Sequence, residues 1–142
     1  MAISEFVSTE LVSRANINNR ITQANLCFPV SLYNNASGTS GTVPLSDSAA
    51  NYNYLEIYFK DNDDIYNSIK AYNSNGKKLS LITIATASTA TRGWIKNASV
   101  SVSGSTITFE AEKGQLTIIN NGNSTIGNGD YILICSVIGY KY

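Results

Sequence analysis

The chain has 142 residues, the usual size of one folded domain, and 43% of them are hydrophobic. Ten basic and ten acidic side chains give a formal net charge of zero, so the basic excess of a nucleic-acid-binding protein is missing. Histidine is absent, which removes the commonest general base and the commonest metal ligand. The polar surface is rich in uncharged Asn, Ser and Thr. Such a surface suits contacts with sugars or other subunits, although a coding bias towards Asn, Ile, Lys and Tyr explains the same composition.

Residues 1–27 form the first segment and carry the helical signal, which spans residues 9–25. An isolated helix of this length is marginal in water, so we expect it to pack on the rest of the chain or on copies of itself. The second alternative predicts a homo-oligomer, specifically a trimer. The residues of the predicted oligomerisation face are Val7, Leu11, Ala15, Ile17 and Ile21.

The same segment has no basic leader followed by a long apolar stretch, and no apolar run of the chain reaches the ~20 residues that cross a bilayer. We therefore expect a protein that is made in the cytoplasm of the producing cell, has no signal peptide and does not insert into a membrane. The two cysteines, Cys27 and Cys135, lie far apart in sequence. Buried free thiols are the favoured interpretation over a disulfide, and without histidine they make a poor zinc site.

Residues 28–52 are rich in Ser, Gly, Asn, Thr and Pro, and we interpret them as a connector. Alternation of Leu26, Phe28, Val30 and Leu32 leaves room for a short extended strand at its start. The remainder, residues 53–142, follows a period of two and predicts a β-sandwich domain.

Seven strands are predicted in that domain, at residues 54–59, 65–72, 78–87, 94–102, 106–112, 115–120 and 131–140. Short strands with a turn every 8 to 12 residues are typical of a β-sandwich or a closed barrel. The fold class expected is therefore all-β: an antiparallel β-sandwich, or a barrel-like arrangement, of about seven to eight strands with a short N-terminal helix. The strand at residues 78–87 is almost continuously apolar or Thr, which indicates a strand covered on both faces.

Acidic residues are the remaining candidates for catalysis or metal binding. Glu110 and Glu112 share one face of a strand, which a solvated sheet surface explains better than a catalytic pair. The cluster at residues 61–64 has the oxygen ligands that calcium prefers, but it lacks the spacing of a calcium loop and reads better as a solvated hairpin tip. We therefore expect no enzymatic activity, no metal and no cofactor.

Tyrosines give the most informative surface pattern. Alternation places Tyr54, Tyr58, Tyr66 and Tyr72 on the side of their strands opposite the aliphatic residues. If the aliphatic side is the core, these four tyrosines form an outward strip, and they are the candidate ligand-binding residues because aromatic rings with hydroxyl tips suit sugars and protein interfaces. The alternative is that the rings only pack across neighbouring strands.

Five segments of the chain form a distinctive set: NYLEIYFKDND at residues 53–63, NSIKAY at 67–72, NGKK at 75–78, YILI at 131–134 and VIGYK at 137–141. Together they resemble the terminal β-domains of tail and fibre proteins in phages of Gram-positive bacteria. The stretch NNRITQAN at residues 18–25 is similar to the helical lead-in of phage structural proteins. No binding residues carry over, because the similarity contains no invariant motif.

The resemblance implies a virion structural protein of the tail-fibre, baseplate or head-fibre type, acting in host-surface binding or particle assembly. Its expected partners are copies of itself in a homotrimer, other virion proteins and a host cell-wall saccharide, with no nucleic acid. The alternative function is a free-standing carbohydrate-binding module or adhesin. A small polysaccharide-degrading enzyme is disfavoured by the absence of histidine and of a paired set of acids.

Overall fold

The computed structural model describes residues 13–26, 28–87, 91–119 and 122–142. One α-helix, α1 (Arg14–Leu26), comes first, and a 3-10 helix at Ala49–Asn51 lies between the second and third strands. Sheet A contains, in spatial order, β1 (Val30–Thr39), β9 (Ile132–Tyr140), β3 (Tyr54–Asp61) and β4 (Tyr66–Tyr72). Sheet B contains β2 (Thr42–Pro44), β7 (Thr106–Ile119), β6 (Arg92–Ser103) and β5 (Lys78–Thr86), and β8 (Ser124–Asn128) also pairs with β7.

The two antiparallel sheets enclose one hydrophobic core, so the predicted all-β sandwich is confirmed, with nine strands in the described ranges. Each strand sends alternate residues inwards, because successive side chains of a strand point to opposite faces. On β3 the fully buried apolar residues are Leu55, Ile57 and Phe59. On β6 the buried apolar residues are Ala98, Val100 and Val102, each at most 1% exposed.

The predicted connector at residues 28–52 is corrected by the structure, which builds it into both sheets. β1 pairs with β9 and β2 pairs with β7. Leu32, Val43 and Leu45 enter the core between the sheets. A few well-spaced apolar side chains are enough to hold this polar segment in the sandwich, because their neighbours only have to face water.

The Gly-rich stretch near the C-terminus also contains more structure than its sequence suggests. Turn signals indicate a loop between the last two predicted strands, but β8 forms there and pairs with β7 from Gly114 to Ile118. The two strands predicted at residues 106–112 and 115–120 are one long strand, β7, which an irregularity opposite Ser99 interrupts.

The helix lies within the segment predicted for it. Its described part begins at Arg14, and the Ser13 hydroxyl caps it by accepting a bond from the amide of Asn16 at 3.1 Å. Of the predicted oligomerisation face, Ala15, Ile17 and Ile21 are exposed on the helix, whereas Val7 and Leu11 lie outside the described residues. Within the described ranges, no helix has both the length and the apolar character needed to span a membrane.

Cys135 is buried and carries a free thiol, as predicted for that position, whereas Cys27 lies outside the described residues. Cys135 lies at a bulge of β9, since Tyr58 pairs with Ser136 and the next residue of β3 pairs with Ile134. Burial raises the pKa of the Cys135 thiol, which keeps it protonated near neutral pH.

Candidate functional site: the outer face of sheet A

The hairpin of β3 and β4 brings the four predicted tyrosines to one side of sheet A. Tyr54 pairs directly with Tyr72, and Tyr58 lies opposite Ser68. Tyr66 lies opposite Lys60, which is two residues nearer the turn than Tyr58 and on the same face of the sheet. Because the intervening residues of β3 are buried in the core, all of these tyrosines belong to the outer surface of the sandwich.

Two further tyrosines join them from the C-terminal end of the chain. β9 is the neighbour of β3 on its other side, and it places Tyr140 opposite Tyr54. The rings of Tyr54 and Tyr140 are stacked, with centroids 4.5 Å apart and an angle of 6° between the planes. Tyr54 also contacts the ring of Tyr72 at 5.1 Å and that of Tyr142 at 6.4 Å. We call these residues the tyrosine face: Tyr54, Tyr58, Tyr66, Tyr72, Tyr140 and Tyr142.

Sequence reasoning missed Tyr140 and Tyr142 because it did not determine the strand order. Residue 140 is 86 positions after its stacking partner, and only the pairing of β9 with β3 brings the two rings together. The alternation along β9 does indicate where Tyr140 lies. Val137 and Gly139 are on the buried side of the strand, so Tyr140, the next residue, is on the outer side.

A carboxylate lies among the rings. The hydroxyl of Tyr140 donates a hydrogen bond to Oε2 of Glu56 at 3.0 Å, and this bond raises the pKa of Tyr140. The pKa of Tyr58 is raised too, first by desolvation and then by a hydrogen bond with the same carboxylate. Both phenols therefore stay protonated and act as donors, and Glu56 is fixed as an acceptor at the centre of the face.

Two lysines complete the polar part of the tyrosine face. Lys70 has its Nζ atom 5.8 Å from the ring centroid of Tyr54, and Lys60 has the same separation from the ring of Tyr66. Lys60 also bonds Asp64 at 2.8 Å. These are distances at which an ammonium group is attracted to an aromatic ring.

The outermost rings are accessible to a ligand. Tyr66, Tyr72 and Tyr142 are 63%, 55% and 61% exposed, whereas Tyr54 and Tyr58 are half-buried between their neighbours. A surface of this kind offers flat apolar rings with hydroxyl, carboxylate and ammonium groups between them. It can pack against the C–H face of a ring-shaped ligand while hydrogen-bonding the groups at the edge of that ligand.

The acidic turn at residues 61–64 is not the fully solvated hairpin tip that the sequence suggested. Asp61 is 0% exposed and lies between the sheets. Its Oδ1 atom accepts bonds from the amides of Asp63 at 2.9 Å and Ile65 at 3.0 Å, and its Oδ2 atom accepts the hydroxyl of Thr83 at 2.9 Å. Burial alone would raise the pKa of Asp61, but these bonds and the nearby lysine outweigh it, and the net result is a lowered pKa.

That lysine is Lys96, which is 1% exposed and comes from β6 of the opposite sheet. Its Nζ atom lies 3.3 Å from Oδ2 of Asp61 and 2.8 Å from Oδ1 of Asn62, and it also pairs with Asp63. The acidic turn is therefore tied to sheet B by a buried cation. Among the described residues, no group of three or more acidic, cysteine or histidine side chains is arranged to hold a metal ion.

The other two candidate acids lie in ordinary surface interactions. Glu110 accepts a hydrogen bond from Ser101, and Glu112 pairs with Lys78 at 3.5 Å. Both belong to the irregular part of β7 between Phe109 and Lys113. Each carboxylate thus has a polar partner of its own, Ser101 for Glu110 and Lys78 for Glu112.

No protein-family model matches this chain. No curated protein matches it either. The sandwich and the side chains on its two outer faces are therefore the features from which a function can be inferred.

Proposed function

We propose that this chain is a non-enzymatic binding module whose tyrosine face holds a saccharide, and that it serves as a virion protein of the tail-fibre, baseplate or head-fibre type. The stacked pair of Tyr54 and Tyr140, with Tyr72 and Tyr142 beside it, is the observation that carries the saccharide part. The virion part is supported by the sequence segments that resemble phage tail and fibre proteins. Copies of the chain in a homotrimer and other virion proteins are the proposed partners.

A saccharide is favoured over other ligands by the mixture of groups on the face. Sugar rings combine apolar C–H faces with many hydroxyl groups, and the tyrosine face combines flat rings with donors and acceptors. Glu56 supplies an acceptor, and Lys70 supplies donors within reach of the Tyr54 ring. A predominantly apolar partner would bury these groups without using their remaining hydrogen-bonding capacity, at a cost of about 1–3 kcal/mol for each donor or acceptor left unsatisfied.

The absence of catalysis is part of the proposal and is supported by how the acids are engaged. Glu56 accepts a phenol hydroxyl, Asp61 is buried beside Lys96, and Glu112 pairs with Lys78. A hydrolase that acts on glycosidic bonds normally needs two carboxyl groups about 5 to 9.5 Å apart across the substrate. We assign these three acids to positioning and stability instead.

The second candidate function is a free-standing carbohydrate-binding module or adhesin, which the tyrosine face supports equally well. The two candidates differ in context rather than in the chemistry of the site. Tail or capsid genes beside the gene for this chain favour the virion protein, and glycoside-hydrolase genes favour the free-standing module.

The experiment measures binding of the full chain to purified Gram-positive cell walls and to the polysaccharide isolated from them. Tyr72→Ala and Tyr66→Ala remove exposed rings from the face, and we expect Tyr72→Ala to weaken binding at least ten-fold, as for an interface residue at an energetic centre. The free energy of unfolding should change by less than about 1 kcal/mol in both variants, because these side chains are largely exposed.

Phe28→Ala is the matched control, since Phe28 is 62% exposed and lies before β1, outside the sandwich strands. It removes a similar aromatic area and should leave binding unchanged. Full binding by both tyrosine variants would place the ligand elsewhere and overturn the proposed site. Release of reducing sugar from the polysaccharide by the unmodified chain would overturn the non-enzymatic assignment.

A further inference from the structure

The outer face of sheet B carries a row of aliphatic side chains that crosses four strands. Ile84 of β5 pairs with Ile95 of β6, Ile95 pairs with Leu116 of β7, and Leu116 pairs with Ile126 of β8. Ile84 is 69% exposed and Ile126 is 81% exposed. The opposite side of β5 is the core side, where Leu81 is fully buried. We call these four residues the aliphatic ridge.

A depression lies on each side of the ridge because a glycine occupies the next outward position of a central strand. Gly93 lies between Thr86 and Ile118 in one cross-strand row, and the concavity there has a volume of about 360 Å³. Gly114 lies between Asn97 and Asn128 in another row, with a concavity of about 300 Å³. The face is thus a ridge between two grooves.

The ridge itself is aliphatic at all four of its positions and contains no charged side chain. Charged side chains border the two grooves, with Arg92 beside Gly93 and with Glu112 and Lys113 beside Gly114. The whole chain has zero formal charge. Two ridges can therefore meet without a charge of the ridge losing its water, and two copies carry no net repulsion.

We propose that this face packs against the same face of a second copy of the chain. A ridge flanked by grooves is complementary to itself: when two copies face each other across a two-fold axis, each ridge enters a groove of the other. This is the isologous contact that most homodimers use. The proposal goes beyond saccharide binding, because it concerns the opposite outer face of the sandwich.

The size of the face agrees with such a contact. Strands lie about 4.8 Å apart, so the four-strand ridge is about 14 Å long between its outer Cα atoms. With a groove on each side, the apolar area is on the order of 400 Å², within the range that often marks an interaction site on a monomer. The serines around it, such as Ser80 and Ser99, would supply the polar rim that brings an interface towards the standard ~800 Å² per partner.

The sequence of β5 supports the same conclusion independently. A strand that is apolar on both sides is typical of one covered on both faces. Among the described residues of the single chain, the sandwich covers the side that carries Leu81, whereas Ile82 and Ile84 face outwards, 42% and 69% exposed. A second copy provides the missing cover.

The test measures the mass of the full chain by light scattering, with the 15.3 kDa chain as the unit. Ile84→Asp and Ile126→Asp place a charge on the ridge at its most exposed positions, so the fold of the single chain should be retained, which circular dichroism and the melting temperature check. Ser68→Asp, on the outer face of sheet A, is the control for adding one charge to an exposed strand residue. The helix variant combines Ile17→Asp with Ile21→Asp. It replaces the two exposed isoleucines of α1, so that a contact made through them is lost while the ridge is intact.

We expect a mass of at least two chains for the unmodified protein and for Ser68→Asp, and two chains for the helix variant. Either ridge substitution combined with the helix variant should give one chain with an unchanged circular dichroism spectrum and a cooperative melting transition. A monomeric unmodified protein at high micromolar concentration would overturn the proposal. A folded ridge variant that keeps the full mass, or a helix variant that becomes monomeric, would overturn it as well.

Discussion

The ring of Tyr52 occupies the space in which a side chain at position 139 would stand. A Cβ atom added to Gly139 would lie 2.6 Å from Cε1 of Tyr52, closer than real Cβ contacts allow. Tyr52 is 6% exposed, and its hydroxyl donates to Oδ2 of Asp47 at 3.0 Å. Burial and this bond raise the pKa of Tyr52 to about 12. The loop between β2 and β3 is therefore fixed on sheet A by a ring that only a glycine accommodates.

Gly139→Ala should destabilise the sandwich by about 1–3 kcal/mol, the usual cost of forcing extra atoms into a packed core. Urea unfolding measures the change. Gly93→Ala is the control, because a Cβ there would meet its nearest atom at an ordinary 3.6 Å, and its stability should stay close to that of the parent. If a smaller residue at position 52, as in Tyr52→Leu, does not reduce the cost of Gly139→Ala, the proposed overlap is not its cause.

Lys96→Met should cost about 3–5 kcal/mol, because it leaves the buried carboxylate of Asp61 without its cation. The double variant Asp61→Asn with Lys96→Met should recover a large part of that loss, since neither side chain then carries a buried charge. Denaturant unfolding of the two single variants and the double variant gives the coupling. If the losses of unfolding free energy in the two single variants add up to the loss in the double variant, the two residues act independently.

A low pH should weaken the ion pair of Asp61 and Lys96. The folded-state pKa of Asp61 is below its ordinary value of 3.8, so ionised Asp61 contributes stability above that value and loses it as the pH falls further. The melting temperatures of the parent and of Asp61→Asn should therefore differ at neutral pH and converge as the pH falls below 3.8 towards the lowered pKa of the folded state. A difference that stays constant over this range would exclude the ionised carboxylate as its source.

Calcium should leave the melting temperature unchanged, and so should a chelator. Asp61 already uses both oxygen atoms on two amides, the Thr83 hydroxyl and Lys96, so the acidic turn has lost its most favourably placed ligand. A ligand that binds only the native state raises its stability by mass action. A rise of several degrees with calcium would therefore reveal a site that these bonds do not exclude.

The helix provides a separate prediction about assembly. Ile17 and Ile21 are 43% and 53% exposed on α1, at a spacing of four residues that puts them on one side of the helix. If the predicted trimer forms through this side, Ile17→Asp with Ile21→Asp should lower the mass measured by light scattering. An unchanged mass would leave the homotrimer without its proposed contact, whereas Asn18→Asp, a neighbouring exposed position, should have no effect.

Period-two patterns predicted most of the sandwich, because one side of each long strand is buried. They allow a short strand around Leu32 but do not extend it to the whole of β1 or to β2, where apolar residues are sparse among Ser, Asn, Gly and Thr. Local composition there resembles a loop, and only pairing with β9 and β7, about a hundred and about 64 residues further on, makes these segments strands. Tertiary contacts overrode local propensity at these positions.

The candidate site was predictable in part for a similar reason. Alternation along β3 and β4 placed Tyr54 and Tyr72 on one face, but Tyr140 required knowledge of the strand order. The position of Lys96 in the alternating pattern of β6 also indicates its buried ion pair. It alternates with Ala98 and Val100 on the inward side of β6, and a lysine at such a position needs a buried carboxylate as its partner.

The tyrosine face and the aliphatic ridge lie on opposite outer surfaces of one sandwich. Two copies joined at their ridges would therefore form four sheet layers about 10 Å apart, with the tyrosine faces about 30 Å from each other and pointing in opposite directions. Such a pair cannot place both faces on one flat surface, so it would gain no avidity there. Instead it would cross-link, each dimer joining two polysaccharide chains or two particles that carry them.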